Sequence, residues 1–546
     1  MHQRENDAIQ NPFGSAQNCA RRARRDRREP RLIAAVICSG IAAAFMFQAA
    51  AHAADSSVPI VKTRAGEVRG TANANVREFL GIPYAAPPIG KLRWLPPEPA
   101  AIWSGALDAS RPGNSCAQMN FRGTRVKGSE DCLYLNIYTP NPAGAGLPVM
   151  VWIHGGTFIA GSGAIFDGGK LATKGNLVVV TINYRLGPFG FLANRSLDAT
   201  DPRHVSGNYG LLDQQAALRW VKDNIAAFGG NPKRVTVAGE SAGAISVGLH
   251  LVSPAAAGLF ARAILESGPF LHIRTLAQAE VRGDEFAEKL GCTKPADAAR
   301  CMRAKTTDEA LRAIFASPIG VARPIWWPVM DGRVIPSQPA QALSAGRFNK
   351  VPMLNGSNHD EGTLFVAFGK PVTAQEFEAR AQRRFGADAA RVLAAYPLAS
   401  YASPMQASAA AFGDSIFSCP IMKAGELLSA QVPVYQYEFN DTHAPASFIR
   451  NPPLPLGAFH GSDIQYVFGG IAAKNQASLA QEKLSDAMMS YWIGFIASGN
   501  PGGKSPRWNR LSASNPRVIS LAPGAIGYET DFAKVHHCDL WDSMPR

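Results

Sequence analysis

A serine between two glycines is the residue of this chain best placed to act as a nucleophile. Ser241 stands in Gly239-Glu-Ser-Ala-Gly243, a G-x-S-x-G pattern, between the apolar run Val235–Ala238 and a stretch of small and apolar residues. A serine on a sharp strand-to-helix turn presents its hydroxyl to a carbonyl, and side chains in place of the glycines would clash there. The bare pattern also occurs in ordinary turns, but the flanking strand and helix are the context that the chemistry needs. We therefore predict a nucleophilic serine.

A second glycine-rich turn could stabilise the negative charge that such a reaction creates. The apolar run Pro148–Ile153 is followed by His154-Gly-Gly-Thr-Phe158. Open α/β sheets bind their ligands at the carboxyl ends of strands, and acyl transfer needs backbone N–H groups aimed at the developing oxyanion. The sequence therefore predicts an oxyanion hole and a supporting glycine at these two turns, made of Gly156, Thr157 and Ala242 with Gly155 beside them.

Six stretches taken together resemble one enzyme family. They are Phe79–Pro88, Ser129–Asn136, His154–Phe158, Asn183–Arg185, Gly207–Asp213 and Gly239–Gly243. In these motifs the chain is similar to the type-B carboxylesterases of the α/β-hydrolase fold, a family that includes the cholinesterases. The resemblance runs from about Val61 to the C-terminus. It implies a serine carboxylesterase that hydrolyses carboxylic esters through an acyl-enzyme, with no metal and no organic cofactor.

The same resemblance implies a catalytic triad of Ser, Glu and His in that chain order. Ser241 matches the nucleophile, Glu361 matches the acid of a D-E-G stretch, and His460 matches a His-Gly before an aromatic V-F-G. His359 is the main rival for the base and Asp360 the rival for the acid. Glu240 is expected to be a buried supporting carboxylate behind the nucleophile. Thr157 is a departure, since the family usually has Gly or Ala at its position.

Around these residues the sequence predicts strands that alternate with helices. Strands are predicted at Leu133–Tyr138, Pro148–Ile153, Leu177–Ile182, 235–238, Val351–Asn355 and Val434–Phe439, and a helix at Gln214–Phe228. This alternation predicts an α/β fold with a mainly parallel central sheet covered by helices. Residues 275–350 and 370–430 are expected to be helical cap insertions over the sheet edge.

The N-terminal stretch has the features of an export signal. A basic segment ending at Arg31 precedes the uncharged apolar run Leu32–Phe47, and Ala51-His-Ala53 follows as a cleavage pattern. We therefore expect residues 1–53 to be a signal peptide and 54–546 a single enzyme domain, periplasmic or secreted, with no stable membrane span after cleavage. A retained anchor is the alternative.

The six cysteines outside the signal fit an exported chain, where an even set favours disulfides. Six cysteines allow 15 pairings. Two local pairs would each close a short loop, which leaves a third bridge to the C-terminus: Cys116–Cys132, Cys292–Cys301 and Cys419–Cys538. A zinc site is the rival interpretation, but no C-x-x-C or H-E-x-x-H pattern accompanies these cysteines.

Charge and composition limit the partners. The formal net charge is +13, of which the first 53 residues carry +4, leaving 13 − 4 = +9. No run of Lys and Arg follows Arg31, so nucleic-acid binding is not expected. The predicted partner is a small-molecule ester, and the protein is expected to be a monomer or weak oligomer.

The substrate is constrained mainly by the loop between Cys116 and Cys132. This loop has no Trp for a choline group but contains three cations, Arg122, Arg125 and Lys127. The loop is either a solvated face or a gorge-side contact for esters of carboxylate-bearing acids, as in the fumonisin-esterase branch of the family. Trp326 and Trp327 either line the acyl side or pack. A non-catalytic adhesion protein is the alternative function, against which the intact triad argues.

Overall fold

The computed structural model describes residues 58–546, apart from 121–122, 315–325, 447–448, 450, 472–476, 504–505, 513–515 and 545–546. The predicted signal segment and Arg122 therefore lie outside the described residues. Residues from Val58 onward form one compact unit.

Strands of two to eleven residues run through this unit. They are β1 Ile60–Lys62, β2 Glu67–Arg69, β3 Thr71–Ala72, β4 Val76–Pro83, β5 Ala106–Asp108, β6 Gln118–Met119, β7 Val126–Lys127, β8 Tyr134–Pro140, β9 Leu147–Ile153, β10 Val178–Ile182, β11 Gly230–Glu240, β12 Arg262–Glu266, β13 Arg274–Thr275, β14 Val329–Met330, β15 Met353–Asn358, β16 Val434–Phe439, β17 Val518–Ala522 and β18 Ala525–Glu529.

The helices fall between and after these strands. They are α1 Gly169–Gly175, α2 Gly187–Phe191, α3 Arg195–Asp198, α4 Tyr209–Asn224, α5 Ala242–Val252, α6 Leu276–Lys289, α7 Ala298–Arg303, α8 Thr307–Ala313, α9 Pro339–Ser344, α10 Glu361–Ala367, α11 Ala374–Phe385, α12 Ala389–Ala395, α13 Pro404–Gly413, α14 Cys419–Ser429, α15 Ile464–Val467, α16 Leu479–Ser498, α17 Phe532–Val535 and α18 Cys538–Asp542. Among the described residues, no helix is long and apolar enough to cross a bilayer.

An eleven-stranded sheet forms the centre, in the order β18-β17-β16-β15-β12-β11-β9-β10-β8-β4-β3. The seven strands from β17 to β10 are parallel to their neighbours, and β18 and β8 begin antiparallel edges. The predicted mainly parallel α/β-hydrolase sheet is thereby confirmed. The predicted strands omit β12, and the sheet also continues beyond β16 into β17 and β18.

Alternate residues of the central strands face two separate hydrophobic cores. Because both faces of each strand are buried, the sequence of the strand is apolar throughout. On β9, Val149 and Val151 belong to one core, whereas Met150 and Trp152 belong to the other. Helices α4, α5 and α14 contribute to the first core, and α1 and α16 contribute to the second. The sheet is therefore covered on both faces.

The three disulfides are those that the cysteine spacing predicted. Cys116 is bonded to Cys132, Cys292 to Cys301, and Cys419 to Cys538, across 119 residues. The regions 275–350 and 370–430 contain α6–α9 and α11–α14, as expected for helical insertions. Because Cys419 begins α14 and Cys538 begins α18, the third bridge joins the C-terminal segment to the second insertion.

Candidate active site

Ser241 occupies the turn between β11 and α5 with a backbone conformation that is unusual for a side-chain-bearing residue. Its φ and ψ are 54° and −121°. A Cβ on Gly239 would approach the carbonyl oxygen of Ile153 to 2.7 Å, and one on Gly243 would approach it to 1.9 Å. Only glycine fits at either position, so the two glycines let β11 and α5 close against β9. The turn places Ser241 beyond the carboxyl end of β11, where it lines a cavity.

His460 contacts Ser241 directly. Its Nε2 lies 2.8 Å from Ser241 Oγ, which is hydrogen-bonding distance. His460 follows a long connection after β16, and 219 residues separate it from the serine. The rings of Phe365 and Phe417 pack against the imidazole at centroid distances of 5.0 and 4.7 Å. These contacts fix the plane of the ring and keep it buried.

Glu361 lies on the other side of the imidazole. Its Oε2 is 2.5 Å from His460 Nδ1, and its Oε1 accepts a hydrogen bond from the Asn358 backbone N–H at 2.9 Å. Glu361 is the first residue of α10, three positions after the end of β15, and it is fully buried. Its two oxygens thus have separate partners, one contacting the His460 imidazole and one anchored to the strand end.

Asp360 and His359, the alternative candidates for the acid and the base, contact other groups. Asp360 accepts the Ala458 backbone N–H at 2.9 Å and so pins the loop that carries His460. His359 Nδ1 lies 3.1 Å from Glu438. Ser241, His460 and Glu361 are the residues that the structure brings together in one hydrogen-bonded row.

Further buried carboxylates surround His460. Glu240 Oε1 lies 3.3 Å from His460 Nε2, and Asp463 accepts hydrogen bonds from Tyr437 and Asn358. Burial raises the pKa of Glu240 to about 8 and that of Asp463 to about 6, in both cases with Glu361 adding to the shift. Sequence reasoning misses Asp463, although it stands only three positions after His460.

Nearby carboxylates raise the pKa of His460. Burial alone would lower its pKa, but the charges of Glu361 and Glu240 outweigh burial and raise the pKa to about 9. The site therefore strongly favours an imidazolium, which is the state that a general base reaches after taking a proton.

The glycine turn after β9 lies next to the serine. Gly156, Thr157 and Phe158 have φ values of 105°, 57° and 61°. A Cβ on Gly155 would lie 2.5 Å from Glu240 Oε2 and 3.1 Å from Ser241 Cβ, so this turn and the turn of Ser241 are in close contact. Ala242 opens α5, where backbone N–H groups have no acceptor within the helix. Thr157 adopts a left-handed conformation that is costly for a β-branched residue.

A cavity of about 1140 Å³ opens over Ser241, Thr157 and Ala242. Trp327 lines it, whereas Trp326 is buried and packs against Phe286. Three arginines also line the cavity, Arg274, Arg282 and Arg384, with Asp388 as the acidic lining residue.

The cations of the first disulfide loop are placed elsewhere. Lys127 lies in the short hairpin of β6 and β7, Arg125 directly precedes β7, and both are exposed. Neither is among the residues that line the cavity. For the two described cations, the structure favours the solvated-face interpretation over a gorge-side contact.

Comparisons with known proteins show which family the chain belongs to. The model of the Carboxylesterase family matches residues 57–541. The chain is 40% identical over 499 residues to a fumonisin B1 esterase of Sphingopyxis macrogoltabida, covering 87% of the chain and 89% of that protein. It is 37% identical over 464 residues to a para-nitrobenzyl esterase of Bacillus subtilis (strain 168), covering 82% and 92%. A solved PNB esterase structure superposes with a TM-score of 0.77 at 35% identity, covering 89% of this chain and 100% of that one.

Proposed function

Since the chain belongs to the carboxylesterase family and is a carboxylic ester hydrolase, we propose that it cleaves small-molecule esters through an acyl-enzyme on Ser241. The observation that carries this proposal is the row formed by Ser241 Oγ, His460 and Glu361, with contacts of 2.8 and 2.5 Å. A non-catalytic adhesion role has no need of such a row.

The mechanism follows from these contacts. His460 Nε2 takes the proton of Ser241 as its oxygen attacks the ester carbonyl, and Glu361 holds Nδ1–H and stabilises the imidazolium. His460 then gives the proton to the leaving alcohol, and the same base activates the water that releases the acid. The backbone N–H groups of Gly156, Thr157 and Ala242 hold the oxyanion, and each donor contributes about 3–4 kcal/mol to the transition state.

A pH profile tests the role given to the carboxylates. The reaction needs neutral His460, so kcat/KM should rise with pH through the pKa of this residue, above the ordinary value of 6.5 and toward about 9. Glu240→Gln removes a carboxylate 3.3 Å from Nε2, which lowers the pKa of His460 and moves the rise to lower pH. Asp486→Asn, on the surface beside Lys174, is the matched control. An unshifted profile for Glu240→Gln would contradict this electrostatic account.

A second candidate concerns substrates that carry free carboxylates. A neighbouring cavity of about 960 Å³ is lined by Lys370, Arg380, Arg383 and Arg384, and it shares Arg384, Phe365 and Phe412 with the catalytic cavity. Glu376 pairs with Arg380 and Arg383, and the lining remains rich in cations. The similarity to a fumonisin B1 esterase supports the same substrate proposal. We propose that anionic esters are preferred.

Substitution of Arg384 separates this preference from general ester hydrolysis. Arg384→Gln should raise KM for mono-p-nitrophenyl succinate about two- to fivefold at low salt and leave p-nitrophenyl butyrate unchanged, because only the succinate carries a charge. The effect should fade as salt screens it. Arg300→Gln is the control, since Arg300 is an exposed arginine that pairs with Asp297, and neither residue lines either cavity. Equal KM changes for both esters would refute the preference.

We also propose that residues 1–53 direct export and that 54–546 are the enzyme domain. The three disulfides support this, because such bonds persist in oxidising compartments. The exported protein should begin near Ala54 and contain no free thiol, and the intact mass with and without reduction decides the matter.

A further inference from the structure

A largely buried cluster of histidines and carboxylates lies apart from the Ser241–His460–Glu361 row. His536 precedes α18, and its ring is held between two acids: Nδ1 is 2.5 Å from Asp414 Oδ1 and Nε2 is 2.5 Å from Glu438 Oε1. His359 Nδ1 lies 3.1 Å from the same Glu438 oxygen. One ligand atom each from His359, Glu438 and His536 lies within 4.8 Å of the other two.

Three such atoms are the donor set that a first-row divalent cation takes. Zinc binds imidazole nitrogen and carboxylate oxygen at about 2.0–2.2 Å, which places tetrahedral ligand atoms about 3–4 Å apart. The Glu438–His359 contact already has this spacing. The Glu438–His536 contact would open by about 1 Å when a cation replaces the proton that the two groups share.

The groups behind these ligands are arranged as they are in metal sites. A metal-binding histidine ordinarily donates its second ring N–H to a carboxylate, and Asp414 occupies this position for His536. Asp414 is itself held by the Tyr396 hydroxyl at 2.7 Å. Asn440 donates to the second oxygen of Glu438 at 3.1 Å, so that the first oxygen faces the two histidines.

A fourth group and an entry path complete the arrangement. Glu529, at the end of β18, has a buried carboxylate oxygen without a hydrogen-bond partner, and it interacts electrostatically with Glu438, His536 and His359. The His359 side chain is 36% exposed, so the cluster is reached from solvent on that side. We propose that His359, Glu438 and His536 bind a zinc-type divalent cation, with Glu529 or water as the fourth ligand.

Such a cation would stabilise the fold rather than react. Its ligands follow β15, lie on β16 and precede α18, and 98 residues separate Glu438 from His536. The cation would therefore join the C-terminal segment to two central strands, near the Cys419–Cys538 bridge. Because the unfolded chain does not assemble these ligands, binding would raise the stability of the folded state.

Zinc and cobalt titrations of the full chain test this site. After dialysis against a chelator, the protein should bind one Zn²⁺ by calorimetry with a rise in Tm, and Co²⁺ should give the visible absorption of a four-coordinate site. His359→Gln should weaken Zn²⁺ binding at least about tenfold and abolish the rise in Tm. It should leave p-nitrophenyl ester hydrolysis intact, since His359 does not contact Ser241, and this activity shows that the variant has folded.

His443→Gln is the matched control, because His443 is an exposed histidine outside the cluster. It should bind Zn²⁺ as the unchanged protein does. If the unchanged protein binds no Zn²⁺, or if His359→Gln binds it equally well, the cluster is only a buried ion-pair network and the proposal is wrong.

Discussion

Replacing Ser241 with Ala should reduce kcat for p-nitrophenyl esters by about 10⁵- to 10⁶-fold while the protein folds normally. The substitution removes only the attacking oxygen. Closure of the turn rests on Gly239 and Gly243 packed against β9, so the exchange of serine for alanine leaves these contacts in place. Activity should be measured together with Tm, which should change little.

Ser267 offers a matched control. It follows β12 on the adjacent strand end, has a φ of 57°, and is buried like its neighbours. Ser267→Ala removes the same atom from a residue with a similar φ at the next strand end, and we expect it to keep activity of the same order as the unchanged protein. Comparable losses in both variants would mean that Ser241 acts through packing and not as a nucleophile.

The second large effect is expected at Glu361. Glu361→Gln should lower kcat about 10³- to 10⁴-fold, because an amide at 2.5 Å from His460 Nδ1 neither stabilises the imidazolium nor fixes the required tautomer. His460→Ala should fall as far as Ser241→Ala, since triad members act as a unit. Both are measured as kcat on the same ester.

Asp360→Asn provides the contrast, because it changes the adjacent carboxylate in the same way. Its oxygen accepts the Ala458 N–H, which an amide oxygen can also do, so activity should stay within about tenfold of the unchanged protein. A larger loss in Asp360→Asn than in Glu361→Gln would show that the acid is misassigned.

The strand-to-helix turn at Ser241 could be predicted from the sequence because its cause is local. The β-branched run of β11, the two glycines and the small residues of α5 are all within a dozen positions of Ser241. By contrast, β12 has only five residues and carries a charged residue at each end. One of them, Glu266, is buried and accepts a hydrogen bond from Trp492. No local pattern predicts a strand whose buried acid accepts a hydrogen bond from a residue 226 positions away.

The distant members of the site needed the family resemblance. His460 lies 99 residues from Glu361 and 219 from Ser241, so spacing alone could not choose it over His359. The cations that line the cavity come from α11 and from the segment beginning at β13. Nothing in the sequence distinguishes these cations from ordinary surface charges. Arg125 and Lys127 were the more obvious candidates, because a predicted disulfide closes their loop.

Covalent labelling tests the central claim most directly. An organophosphonate with a p-nitrophenol leaving group should place one adduct per chain, and peptide mass spectrometry should find it on Ser241 as activity is lost. Ser241→Ala should take up no label, and His460→Ala should react far more slowly because the serine is no longer deprotonated. An adduct on another residue, or full ester turnover by labelled protein, would contradict the assignment of Ser241 as the nucleophile.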